Sequence, residues 1–261
     1  MKLILVTGLD GSGKSTLLDK LDKFSEGKRI AFIRVPKIDS DLFKENETIH
    51  KTTLFVNQMH QGADQLKMPQ LKVIALFSSM LIFKELVNEL DKKHINLVFC
   101  ERHPLIDTGV YAKFYDGKMD PLSLPQEVVN NLNEQYSVEI AYLLDLLKLK
   151  PQQTSLISCY LQFIHNWFSI DQKHDIMELR TLFNIDLPDK IIYLSASPEI
   201  LMERLQSRKI LEAHESIDVF KKLIPVYEAV LDKTNTITDK IDACTFLNLD
   251  FAFEKIKRTY F

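Results

Sequence analysis

Three observations predict an α/β chain with a central five-stranded parallel sheet, helices on both faces and a helical insert. Short apolar runs recur along the sequence, helical periodicities separate them, and the first run ends in a glycine-rich turn that opens a helix. Strands alternating with helices make βαβ units, whose sheets are parallel and covered on both sides. In this reading the 261 residues form one domain, with the helical insert at 113–187.

Each element has its own signal. Leu3-Ile4-Leu5-Val6 is a continuous apolar run, as expected of a strand buried on both faces. A helix over 14–24 follows, with Leu17, Leu18, Leu21 and Phe24 at helical spacing. The second strand covers 29–35 and is stopped by Pro36. Residues 71–90 read as one long helix, apolar nearly all round and so buried. Strands follow at 96–100 and 190–196, and Pro198 starts the next helix. A fifth strand is placed at 236–243, and an amphipathic helix covers 251–260. Within the insert, helical patterns lie near 126–149, 154–168 and 172–183, with no strand.

Composition removes several classes of function. The net charge of −3 comes with no basic stripe, which argues against a nucleic-acid partner. No apolar segment is long enough to span a bilayer, and the run after Met1 is too short for a signal peptide. Cys100, Cys159 and Cys244 stand far apart without zinc spacing, as expected of free thiols in a reducing cytoplasm.

The glycine-rich turn carries the chemistry. Gly8-Leu9-Asp10-Gly11-Ser12-Gly13-Lys14-Ser15-Thr16 fits the phosphate-loop pattern G-x-x-x-x-G-K-[ST] between a buried strand and an amphipathic helix. Glycines let the main chain curl and let phosphate oxygens approach it. The inward N–H groups and the helix amino end then attract anions. Lys14 can reach the β- and γ-phosphates of ATP, and Ser15 offers a hydroxyl to Mg2+. The expected fold is therefore the three-layer P-loop fold, with Gly8, Asp10, Gly11, Ser12, Gly13, Lys14, Ser15 and Thr16 as the nucleotide-binding residues. Glu101-Arg102 ends the third strand, the side of an open α/β sheet where ligands bind.

Taken together, these segments resemble the thymidylate kinase and deoxynucleoside kinase group. Arg34-Val35-Pro36 is similar to the Arg-x-Pro that follows the second strand in thymidylate kinases, and Leu76-Phe77-Ser78 to their Leu-Phe-Ser. Glu101-Arg102-His103 resembles the acidic-Arg motif of both families, and Ser197-Pro198-Glu199 closes a similar fourth strand. The resemblance implies ATP-dependent phosphoryl transfer with magnesium. It implies that Lys14, Arg102, Arg204 and Arg208 are catalytic, the last two in a lid, and that Glu101 joins Ser15 at the metal. It further implies that Asp10, Arg34, Phe77, Arg102 and Tyr111 contact the acceptor.

One position bears on that acceptor. A sugar hydroxyl needs a base beside it, and deoxynucleoside kinases carry a glutamate where this chain has Val35. A monophosphate is already nucleophilic and needs cations, which Arg34, Lys37 and Arg102 supply. The expected acceptor is thus a nucleoside monophosphate. The alternatives are a nucleoside, with Asp39 or Asp41 as base, and a regulatory nucleotide-binding protein. The last is suggested by Leu81 and Ile38, which stand where thymidylate kinases have arginines. The insert is read as a possible homodimer face.

Overall fold

The computed structural model describes every residue except 116–119, 151–154, 170–174 and 207–214. In chain order the strands are β1 (Lys2–Thr7), β2 (Ile30–Ile33), β3 (Leu97–Cys100), β4 (Lys190–Ser195) and β5 (Thr238–Asp242). The helices are α1 (Lys14–Phe24), α2 (Glu47–Gln65), α3 (Pro69–Leu81), α4 (Phe83–Lys92), α5 (Pro104–Tyr115) and α6 (Gln126–Gln135). They continue with α7 (Ser137–Leu146), α8 (Leu156–Ser169), α9 (Ile176–Phe183), α10 (Pro198–Gln206), α11 (Ile217–Lys233) and α12 (Phe246–Tyr260).

All five expected strands form, and they make one parallel sheet in the order β2-β3-β1-β4-β5. The chain passes from β1 to β2 and only later inserts β3 between them. β1, flanked by β3 and β4, is the central strand, and its carboxyl end is a topological switch point. Its side chains alternate between two covered faces. Ile4 and Val6 join a buried cluster with Leu17, Leu18 and Leu21 of α1 and Leu249, Ala252 and Ile256 of α12. On the opposite face Tyr193 of β4 stacks on Tyr227 of α11, with ring centroids 5.5 Å apart.

The chain divides into two compact units. The first, Met1–Ile33, Leu90–Ile106 and Leu187–Phe261, contains the whole sheet. The second, Arg34–Glu89 and Asp107–Asp186, is helical and takes in more of the chain than 113–187. Its centre is aromatic: Phe77 meets Tyr160, Phe163 and Trp167 at 6.0 Å and Phe183 at 6.1 Å.

Two helical stretches differ from expectation. The predicted 71–90 helix is two helices, α3 and α4, parted at Ile82. Ser79 turns its hydroxyl back onto the Leu76 carbonyl at 2.7 Å, a bond that bends helices. The pattern at 126–149 likewise splits into α6 and α7, where Tyr136 leaves helical geometry at φ −125° and ψ 26°. The 19-residue α2 was not foreseen, although its start is signalled by Asn46, whose side chain accepts from Ile49 N at 3.2 Å.

Candidate active site

β1 delivers the chain to the phosphate loop. Its last residue, Thr7, is buried and shares a 2.7 Å hydrogen bond with the Tyr227 hydroxyl, which ties the strand end to α11. Gly8 then takes φ +148°, and a Cβ there would lie 2.4 Å from the Leu194 carbonyl oxygen of β4. A side chain at this position has neither the backbone geometry nor the space. Ser12 N donates to Leu9 O at 3.1 Å and closes the turn.

α1 opens from Gly13 in the left-handed region, with no side-chain cap and no acidic residue in its first turn. Leu17 N is the first to find an intrahelical carbonyl, that of Gly13 at 3.0 Å. The N–H groups before it are those a helix leaves for an outside acceptor. Beside them the Ser12 hydroxyl is fully buried and has no hydrogen-bond partner among the described residues. An orphan hydroxyl, unused amides and a glycine that excludes a Cβ fit a polyphosphate.

The sheet order brings the charged residues to this loop. β3 lies against β1 with Cys100 opposite Leu5, so the residues after Cys100 come out beside Gly8 onward. Glu101 N donates to Ile33 O at 2.9 Å, which fixes the start of that segment. Ser15 Oγ donates to Glu101 Oε1 at 3.2 Å. Arg102 Nη2 and Lys14 Nζ both donate to Asp10 Oδ1, at 3.2 and 3.3 Å, and Lys14 Nζ also reaches Leu9 O at 3.0 Å. Lys14 is only 4% exposed, so its ammonium is kept within the loop. Among the described residues no group of three His, Cys, Asp or Glu could alone enclose a metal. Ser15 and Glu101 are the side chains that would hold magnesium, a hard cation that oxygen ligands suit.

Arg204 reaches the loop from α10. Its Nη1 donates to Gly11 O at 3.2 Å and its Nη2 to Ala243 O at 2.7 Å, while the guanidinium lies 5.3 Å from the Phe246 ring centroid. Ala243 and Phe246 carry no sequence signal for this contact, since Phe246 at a helix start reads as core yet is 69% exposed. Arg208 lies outside the described residues.

The remaining candidates belong to the second unit. Arg34 is half-buried just after β2, and Tyr111 is buried on α5. Phe77 is 2% exposed within its aromatic cluster, the packing of a core ring. Asp39 and Asp41 have local roles: Asp39 Oδ1 accepts from Asp41 N at 3.1 Å, and Asp41 pairs with Lys44 at 3.0 Å.

No family model matches the sequence, and no curated protein does. Among solved structures, a deoxyadenosine kinase from M. mycoides, determined with dCMP and a flexible dCDP bound, covers 98% of this chain and 99% of its own, at 14% identity and a TM-score of 0.46. A likeness this distant assigns no residues. The phosphate loop speaks for itself. No described helix is long and apolar enough to cross a membrane.

Proposed function

We propose that this chain is an ATP- and magnesium-dependent phosphotransferase of the nucleoside and nucleotide kinase kind, with a nucleoside monophosphate as acceptor. The observation that carries the reading is the loop itself: a glycine cradle, an uncapped helix amino end, an orphan Ser12 hydroxyl and buried Lys14 converge on one space.

In that reading the loop amides and Ser12 take the phosphates, and Lys14 exchanges Leu9 O and Asp10 for phosphate oxygens. Ser15 and Glu101 would hold magnesium, which offsets charge on the transferring group. Release of Asp10 from Lys14 leaves its carboxylate for Arg102 and for an acceptor hydroxyl. Arg102 supplies the fixed positive charge that an anionic acceptor needs. Val35 is buried and apolar, and Asp39 and Asp41 are engaged locally. Those observations favour a monophosphate, which needs no base, over a nucleoside.

The test assays γ-phosphoryl transfer to a panel of nucleosides and monophosphates, alongside calorimetry with Mg2+ and a non-hydrolysable ATP analogue. Transfer to a monophosphate is expected. Transfer to nucleosides alone would replace the acceptor half of the reading. Binding without any transfer would favour a regulatory protein, and no triphosphate binding at all would end the proposal.

A further inference from the structure

α12 turns its buried residues, Leu249, Ala252 and Ile256, toward the core on one side. At 3.6 residues per turn, Leu247, Phe251, Glu254 and Arg258 share a stripe about 60° wide on the opposite side. Their 4-3-4 spacing is that of a seam that packs on a second helix. Leu247 is 79% exposed and Phe251 72%, and the exposed Phe246 flanks them at the helix start. The three side chains open roughly 400 Å² of apolar surface. Patches of about 300–600 Å² on a soluble chain are often functional.

Charge around the stripe says what covers it. Lys20 pairs with Asp250, Lys255 with Asp239 at 3.1 Å and Lys257 with Glu254 at 3.4 Å. Cations engaged in this way leave little for an anionic membrane or an acidic peptide. Two charges beside the stripe are unmatched. Arg258 near the end of α12 and Asp242 just before its start are exposed and make no ion pair among the described residues.

Arg258 lies seven residues beyond Phe251, and Asp242 nine residues before it. The two groups are thus about equally far from Phe251 along the chain and opposite in sign. Such a surface is complementary to itself: turned about a two-fold axis at Phe251, the basic end of one helix meets the acidic end of the other. Antiparallel helices also bring opposite dipole ends together.

We infer that α12 is a self-association surface, on which a second copy of this chain packs antiparallel, with the two Phe251 rings in contact and Arg258 beside Asp242 of the partner subunit. This face belongs to the sheet-bearing unit, not to the 113–187 insert, and it rests on neither the donor nor the acceptor chemistry. Stable interfaces bury about 800 Å² a side, so a stripe of roughly half that size makes a weak, reversible dimer.

The test is sedimentation equilibrium of the full chain from about 1 to 500 µM, with an expected Kd of about 50 µM. Phe251→Asp is expected to leave a monomer throughout that range at the parental Tm, because the ring is exposed. Arg258→Glu and Asp242→Lys should each weaken the dimer about tenfold, since every pair occurs twice about the axis. The two together reverse both charges and should return Kd to within about threefold of the parent. The inference is overturned by a chain that stays monomeric at about 500 µM, by a dimer that survives Phe251→Asp, or by a double variant no tighter than the single ones. A monomer that instead floats with phosphatidylcholine vesicles would give the stripe to a lipid surface and overturn it equally.

Discussion

Lys14 Nζ rests on Leu9 O and Asp10 Oδ1, two oxygens that a bound polyphosphate would replace. Lys14→Ala is therefore expected to lower phosphoryl transfer by about 100-fold or more, with circular dichroism showing the fold retained; near-parental turnover would remove Lys14 from the chemistry. Arg204 is different, because both of its terminal nitrogens grip main-chain carbonyls, one of them in the loop. Removing it should loosen the loop wall, so Arg204→Ala is expected to weaken donor binding and lower kcat together. A fall in kcat alone would instead put its charge on the transferring group. Gly8 is the least replaceable residue. Its positive φ and the 2.4 Å approach to Leu194 O make Gly8→Ala costly by about 2–4 kcal/mol; an unchanged Tm would mean that β1 and β4 move apart freely at this point.

At the scale of elements, β4, β5 and α12 are joined by one carboxylate. Asp239 of β5 pairs with Lys190 of β4 at 3.0 Å and with Lys255 of α12 at 3.1 Å. Burial alone would raise its pKa, but the hydrogen bonds and charges of the two lysines outweigh that and hold it below 3.8. A depressed carboxylate stabilises the fold above its ordinary pKa, and that stability is lost as pH falls below 3.8 through the folded value. Asp239→Asn is expected to flatten this part of the acid limb in Tm measured against pH; a parallel acid limb would show that the pairs contribute nothing. Elements with a local signature were legible from sequence: the apolar run of β1, the glycines after it, the leucines of α1. Breaks were not. Nothing in the apolar pattern at 71–90 marks Ile82, where ψ relaxes to −1° while Ile82 N still donates to Ser78 O at 3.0 Å, because buried apolar residues continue on both sides of it. The polar composition of α2 hid its buried face, although the Asn46 cap was there to be read.

Across the whole molecule, nucleotide binding is expected to act through the first unit. Hydrogen exchange with Mg2+ and an ATP analogue should slow at residues 8–16, where the amides meet phosphate, and at 101–102 and 243–246, which hold Glu101, Arg102 and the Arg204 anchor. Slowing confined to the second unit would contradict the assignment. Sheet order is the feature that makes this one site. Glu101 and Arg102 are about ninety residues from the loop in sequence and meet it only because β3 enters between β2 and β1.

The phosphate loop and the alternation of strands and helices could be read straight from the chain, since both are written in spacing over a few residues. Tertiary structure alone decided that Asp10 is shared by Lys14 and Arg102, that Arg204 is anchored at Gly11 and Ala243, and that Phe77 is enclosed by rings. Each of those facts is a choice of partner between residues far apart in the chain, and such choices follow from which surfaces can be buried together rather than from any local pattern.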